Sequence, residues 1–138
     1  MELIIPLSVL KKIHSNVEKV YPDEGNGLLL GTMNGDTRFV ESVLELINSR
    51  DASVRQNRYL ITAEDMMKGE NEAVRLGLDI IGVFHSHPDH PNKPSEFDRE
   101  WAMPWFSYLI TSVSKGDAQD SRSWRLSENR DGFVEEKI

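Results

Sequence analysis

The stretch Ile80-Ile81-Gly82-Val83-Phe84-His85-Ser86-His87-Pro88 joins a short apolar run to two histidines. A short apolar run of this kind is typical of a buried strand, so residues 80–84 are predicted to lie inside a sheet. Functional side chains often lie at the carboxyl ends of such strands. Residues two apart in an extended chain point to the same side, so His85 and His87 would present both imidazoles to one point. The stretch predicts a buried strand that ends in a pair of metal ligands.

A pair of histidines at a strand end can also be two polar residues that bind nothing. A catalytic zinc ion needs at least three protein ligands and keeps a fourth position for water. The third ligand that we expect is Asp98, on the first turn of the helix that follows the loop. Ser95 and Asp98 also have the spacing of a capping box, with Ser95 as the N-cap. Capping and metal binding are compatible at this position.

Two other histidines, His90 and His14, are further candidates for metal ligands. His90 as a fourth ligand would make a closed, structural site and end the catalytic interpretation. Pro88 and Pro91 bracket His90 in a predicted surface loop, which argues against that role. His14 on the first predicted helix is interpreted as a surface or boundary residue.

A catalytic zinc site also needs a base that takes a proton from water and passes it to the leaving amine. Glu24 is the candidate, because it lies in Glu24-Gly25-Asn26-Gly27 just before a predicted buried strand. The glycines let this backbone approach another segment closely. The alternative is an ordinary solvated loop carboxylate, which the residues alone favour.

The remaining pattern predicts one domain over residues 1–138, with a mixed sheet and about three helices, an α/β (mixed α+β) fold. Helices are indicated by a 3.6-residue apolar period after Pro6, by a possible cap at Thr62, and by a stop at Pro104. Asn34-Gly35-Asp36 predicts a hairpin turn. The predicted helices are 6–20, about 63–76 and about 95–103. The predicted strands are 28–33, 38–44, 59–61, 80–84, 108–113, 123–126 and 133–137.

Composition limits the function classes. The formal net charge of −7 disfavours nucleic acid or an anionic membrane surface as a partner. The absence of cysteine excludes thiolate zinc sites and a cysteine nucleophile, so zinc would need His and carboxylate ligands. The first residues lack the features of a signal peptide and no apolar run is long enough for a membrane span, so we expect a cytoplasmic protein.

Glu24, the motif His85-Ser86-His87-Pro88 and, six residues later, Ser95-Glu96-Phe97-Asp98 resemble the signature of the JAMM (MPN+) metalloproteases. The resemblance covers most of the chain. Residues 21–31 resemble the glutamate-bearing segment of the family. Two further segments, 107–110 and 123–126, resemble the later strands of its small prokaryotic members.

The resemblance implies an MPN/JAMM domain with a cytidine-deaminase-like fold and one zinc ion per chain. It implies that His85, His87 and Asp98 bind the zinc. It further implies that Glu24 is the general base, activating a zinc-bound water, and later the acid, and that Ser95 hydrogen-bonds the oxyanion. Relatives often have small residues or cysteine after the glutamate, whereas this chain has Gly25-Asn26.

Similar small prokaryotic members act on ubiquitin-like sulfur-carrier proteins, which implies a metallopeptidase or isopeptidase that hydrolyses an amide bond after a C-terminal Gly-Gly. The alternative is a catalytically silent MPN scaffold, although such members usually lack ligands. A zinc deaminase is rejected, because it needs His-x-Glu and Pro-Cys-x-x-Cys. The sequence leaves the oligomeric state open, a homodimer included.

Three aromatic residues after the motif have two interpretations. Trp101, Trp105 and Phe106 could line a substrate groove, but aromatic clusters more often belong to a core. The sequence does not decide between the two.

Overall fold

The computed structural model describes residues 1–55 and 58–138. These residues form three helices and one mixed sheet with the strand order β1-β3-β2-β4-β5-β6-β7. Strand β4 is central, antiparallel to β2 and parallel to β5. The elements are β1 (Glu2–Ile4), α1 (Leu7–Val20), β2 (Asn26–Asn34), β3 (Thr37–Leu46), α2 (Ala63–Leu76), β4 (Asp79–Pro88), α3 (Glu96–Trp101), β5 (Ser107–Ser114), β6 (Asp117–Leu126) and β7 (Phe133–Glu136).

The sheet has an apolar core on each face. Helix α1 buries Val9, Ile13 and Val17 in one core together with Phe84 of β4. The neighbouring residue Val83 belongs to the other core, which contains residues of α2. Successive strand residues point to opposite faces, so a strand covered on both sides is apolar throughout. The buried strand predicted for residues 80–84 is confirmed.

Both long helices begin and end as their sequences indicate. The side chain of Thr62 accepts a hydrogen bond from the Asp65 amide, and a capping box starts α2. Gly77, with φ of 70°, ends α2 in the left-handed region that glycine adopts without strain. Pro6 is the N-cap of α1, at the boundary that the sequence predicts.

One strand assigned from the sequence is absent, and one strand of the structure was not predicted. Residues 59–61 form no strand, because β4 is already paired on both sides and these residues pack over the site instead. Strand β1 (Glu2–Ile4) was missed. It is three residues long and pairs with β3 at residues 37–39. A segment this short has no recognisable sequence pattern, so its strand conformation is evident only from the pairing.

Several element boundaries moved. Helix α3 ends at Trp101 rather than at Met103, because the residue before Pro104 is disfavoured in helical conformation. Strand β6 begins at Asp117, well before the predicted residue 123, since the Lys115-Gly116 turn pairs it with β5. Strand β4 continues past Phe84 to Pro88, so both histidines belong to the strand.

No helix within residues 1–55 and 58–138 has both the length and the apolar composition that crossing a membrane requires.

Candidate metal centre

The strand β4 carries two buried histidines into one side of the sheet. His85 is fully buried and His87 is 8% exposed. Their backbone pairs with β5, and Ser86 between them turns to the other face, where its hydroxyl accepts a hydrogen bond from the Gly25 amide at 2.8 Å. The alternation that the sequence predicts for His85, Ser86 and His87 is therefore present.

Both histidines meet one carboxylate oxygen. Oδ2 of Asp98 lies 3.1 Å from Nε2 of His87 and 3.3 Å from Nε2 of His85. The contact to His85 has the distance of an ion pair but lacks hydrogen-bond alignment, so this Nε2 has no hydrogen-bond partner among the described residues. One oxygen facing two nitrogens in this way is the arrangement expected around a shared cation.

Helix α3 holds Asp98 in place through its own cap. The Ser95 amide donates to Oδ2 of Asp98 at 2.8 Å, and the Asp98 amide donates to Oγ of Ser95 at 3.1 Å. The capping box read from the sequence is therefore formed. The same oxygen that closes the cap also faces the two histidines.

The orientation of His87 follows from a backbone contact. Its Nδ1 donates to the carbonyl oxygen of Pro91 at 2.8 Å. A proton on Nδ1 leaves the lone pair of Nε2 directed at the site, which is the usual arrangement of a metal-binding histidine.

Glu24 approaches the histidines from the chain before β2. The ligand atoms of Glu24, His85 and His87 all lie within 4.8 Å of one another, and the three residues are buried. Oε1 of Glu24 has no hydrogen-bond partner within the described residues. Gly25 permits this approach, since a Cβ there would lie 2.9 Å from a methyl carbon of Val20. Glu24 is thus a buried carboxyl group and not a solvated one.

An open cleft reaches this group of side chains. Ser95 is exposed and lies on the cleft wall, where its hydroxyl is accessible. His90 is also exposed on this wall, outside the group of ligand atoms. His14 lies elsewhere, half-buried and hydrogen-bonded to Ser121. The cleft is lined by Glu24, His87, Pro88, His90, Pro91, Lys93 and Ser95.

The two buried carboxyl groups have opposite pKa shifts. Burial raises the pKa of Glu24 from 4.5 to about 9, and the charge of Asp98 adds to the rise. Burial also acts to raise the pKa of Asp98, but His85 and His87 outweigh it and hold that pKa below its usual range. Two carboxyl groups whose pKa values are driven apart are suited to different roles, one ionised and one carrying a proton.

The donor set fits a zinc ion. Ligands at about 2.0 to 2.2 Å in a tetrahedron lie about 3.3 to 3.5 Å from each other, close to the spacing of Asp98 from the two histidines. Imidazole nitrogens with carboxylate oxygens suit zinc. The unpaired buried atoms of His85 and Glu24 are explained if a cation lies among them.

Residues 6–127 match the model of the family Prok-JAB, described as prokaryotic homologs of the JAB domain. The chain belongs to this family. The resemblance that the motif indicated is therefore confirmed. A JAB1/MPN domain protein from Archaeoglobus fulgidus has the same fold, with a TM-score of 0.57 at 20% identity over 100% of this chain and 98% of that one.

Three further proteins are similar to this chain. A protein from Salinibacter ruber, known in solution structure, has a TM-score of 0.77 and 36% identity, covering 98% of this chain and 89% of its own. A probable TtuB-protein conjugate cleaving protease from Thermus thermophilus is 29% identical over 114 residues, which are 80% of this chain and 72% of that protein. A desampylase from Pyrococcus furiosus is 35% identical over 65 residues, 47% of this chain and 44% of that protein.

Sequence reasoning missed the segment that covers His85. The ring of Tyr59 stacks on the imidazole of His85, with centroids 4.6 Å apart and an angle of 27°. Arg50 donates to the carbonyl oxygen of Tyr59 at 3.3 Å. The segment was predicted as a strand, and its consecutive residues Tyr59, Leu60 and Ile61 carry no signal for packing over a histidine.

The metal-free protein should lose stability as the pH rises. The pKa of Glu24 is about 9 when folded and 4.5 as the reference for the unfolded chain, so the folded state binds more protons between these values. Stability is then fully present below pH 4.5 and is lost as the pH rises towards 9. Glu24→Gln should remove this loss and raise the Tm of the metal-free protein at pH 8 by about 4 °C or more.

Thermal unfolding with a chelator at pH 5 and pH 8 measures this effect. Glu45→Gln, on the exposed side of β3, is the matched control and should follow the wild type at both pH values. Equal Tm values for wild type and Glu24→Gln at pH 8 would contradict the raised pKa.

Proposed function

We propose that this chain is a zinc-dependent metallopeptidase or isopeptidase of one domain that cleaves the amide bond after the C-terminal Gly-Gly of a ubiquitin-like or sulfur-carrier protein. The observation that carries the proposal is the convergence of four side chains, of which Glu24 and His87 line an open cleft; the other two are His85 and Asp98. The names of two relatives, a conjugate cleaving protease and a desampylase, support the substrate class. The proposal keeps the cytoplasmic location predicted from the sequence.

In this proposal His85, His87 and Asp98 hold the zinc ion. The spacing of Asp98 from both Nε2 atoms supports its choice as the third ligand. Bound zinc would supply Lewis acidity, which polarises the scissile carbonyl and makes water a better nucleophile near neutral pH. The cleft leaves one side of the ligand set open, as a catalytic site requires.

Glu24 moves the proton. Its carboxylate takes a proton from the attacking water, and its buried position lets it keep that proton until the leaving amine accepts it. The pKa of about 9 applies to the metal-free protein, where burial keeps Glu24 protonated. A cation beside Glu24 would stabilise the carboxylate form that accepts the proton from water. Ser95 lies on the same cleft wall, and its hydroxyl donates to the oxygen that becomes negative when water attacks the carbonyl.

A second pocket supports a polypeptide substrate. It lies on the other side of Asp98, between residues 59–61 and the loop after α3, and its lining is mainly apolar. Phe106 is buried core, but Trp101 and Trp105 are 60% and 62% exposed on the pocket rim. Large exposed aromatic residues on a small protein mark a binding surface. Continuity with Asp98 makes this pocket the place for an apolar residue of the substrate tail.

The glycines of the substrate suit the cleft. A Gly-Gly tail is the thinnest polypeptide and passes where side chains do not. Backbone hydrogen bonds from an extended tail to neighbouring segments would give affinity without large side chains. The tail therefore reaches the zinc through its glycines, while residues before them bind the apolar pocket.

The proposed reaction is tested by incubating the zinc-loaded protein with carrier proteins that bear C-terminal extensions, and with conjugates joined through lysine. Intact mass should reveal a product that ends in Gly-Gly, and a chelator should abolish it. Alanine in place of the last glycine of the carrier is the matched control and should prevent cleavage. Zinc binding without turnover on every substrate would overturn the enzyme and favour a scaffold.

Ser95→Ala should lower kcat/KM about 10²- to 10³-fold with zinc still bound, because one donor to the oxyanion is lost. The substitution also removes a helix cap, worth about 1 kcal/mol. Thr62→Ala removes the corresponding cap from α2 and is the control for that effect. Ser95→Thr keeps a hydroxyl and should retain most activity. Equal losses for Ser95→Ala and Thr62→Ala would refute the role in the oxyanion contact.

Trp101→Ala should raise KM about tenfold, which corresponds to ~1.4 kcal/mol of binding, with little change in kcat. The indole lines the apolar pocket, and neither His85 nor His87 is among the residues of that lining. Val74→Ala is the control, because Val74 is 78% exposed on α2 and outside the pocket. Steady-state kinetics on a carrier with a C-terminal extension gives both constants. An unchanged KM would remove the pocket from the substrate path.

A further inference from the structure

Asn26 is a buried polar side chain without a partner. The residue has no exposed surface, and neither its Oδ1 nor its Nδ2 makes a hydrogen bond within the described residues. A buried amide left unpaired costs about 1–3 kcal/mol, so a position that keeps one needs an explanation.

The register of the sheet directs Asn26 towards His85. The pairs Asn26–His85 and Gly27–Phe84 lie side by side across β2 and β4. A Cβ on Gly27 would lie 2.2 Å from the ring of Phe84, which demonstrates that paired residues here share a face. The amide of Gly25 donates a hydrogen bond to the hydroxyl of Ser86 on the same face as Gly27 and Phe84. Alternation then puts Asn26 and His85 together on the opposite face, with Cβ atoms about 4.5–5.5 Å apart.

One ring nitrogen of His85, Nδ1, lacks a hydrogen-bond partner among the described residues. Tyr59 covers the face of its ring, and Nε2 is directed at Asp98. Nδ1 of His85 is buried and has no hydrogen-bond partner within the described residues. A histidine that binds a metal through Nε2 carries its proton on Nδ1 and needs an acceptor there.

The two histidines differ in what surrounds them. His87 lies next to the loop that follows β4, and its Nδ1 donates a hydrogen bond to the carbonyl oxygen of Pro91 in that loop. His85 lies between β2 and β5, where the backbone carbonyls are engaged in the strand ladders. A side chain from the neighbouring strand is therefore the available kind of acceptor, and Asn26 is the directly paired one.

We propose that Asn26 is a positioning residue that accepts the Nδ1–H hydrogen bond of His85 through its carboxamide oxygen. Both groups lack a partner in the described structure, so the side chain of Asn26 changes its rotamer to make this bond. The bond holds the proton on Nδ1 and keeps the lone pair of Nε2 directed at the metal position. The inference rests on the proposed zinc site but not on the identity of the substrate.

The test compares Asn26→Leu with Asn26→Asp in zinc affinity, measured by competition with a chelator. Leucine has nearly the same size and no acceptor, so it should weaken zinc binding about 10- to 100-fold. Aspartate keeps an acceptor and should stay within about threefold of the wild type or bind more tightly. The Tm of the metal-free Asn26→Leu protein should not fall, because two unpaired buried atoms are removed.

Zinc affinity of Asn26→Leu equal to that of the wild type would overturn the inference. Histidine ring NMR of the zinc-loaded wild type gives a second measurement that needs no variant. We expect a slowly exchanging proton on Nδ1 of His85 and coordination through Nε2. Coordination through Nδ1 would overturn the inference even if Asn26→Leu failed to fold.

The outcomes separate this inference from the proposed function. A wild type that binds zinc with the expected tautomer, yet cleaves no carrier protein, would defeat the proposed reaction and uphold the role of Asn26. If Asn26→Leu binds zinc as tightly as the wild type and still cleaves the carrier protein, the role of Asn26 is refuted and the proposed reaction is upheld.

Discussion

The convergence of His85 and His87 on one oxygen of Asp98 is the contact on which the candidate site depends. Each partner comes from a different local structure, the histidines from the central strand and the aspartate from the first turn of α3. The strand fixes the histidines because it is paired on both sides. The capping box fixes the aspartate because the Ser95 amide donates to the same carboxylate oxygen.

Keeping two carboxyl groups buried beside two histidines is costly unless charge is compensated. Asp98 meets this cost through the histidines, which lower its pKa. Glu24 has no such partner among the described residues, and burial raises its pKa to about 9. A bound cation would compensate both groups at once. The arrangement is therefore poorly suited to a purely structural role and well suited to metal chemistry.

The surroundings of the centre divide into two regions. An open cleft leads to Glu24, His87 and Ser95, and an apolar pocket with exposed tryptophans adjoins Asp98. The cleft gives access to the ligand atoms, and the pocket offers an apolar surface beside them. Asn26 belongs to neither region, because it is buried in the sheet on β2, directly opposite His85 of β4.

The amino-acid pattern alone predicted the buried strand before the histidines, the two long helices and the cap at Ser95, because periodicity and capping are local properties. It also named the four side chains that converge in the candidate site, Glu24, His85, His87 and Asp98, but gave no signal for the contacts of Tyr59 and Asn26 with His85. Glu24 was named through the resemblance to the family motif, because its local sequence alone favoured a solvated loop carboxylate. The three-residue strand β1 and the non-strand at 59–61 escaped prediction, since both depend on which neighbours a segment finds in the sheet.

Only the tertiary structure decided that Glu24 is buried, that Tyr59 stacks on His85, and that Asn26 is paired across from His85. These facts come from strand register and from segments far apart along the chain. The sequence by itself determined which residues can bind a metal and where each helix starts, because both follow from residue type and short spacing. The sheet register determined which of those residues face one another, because a shift by one residue would turn every side chain to the opposite face.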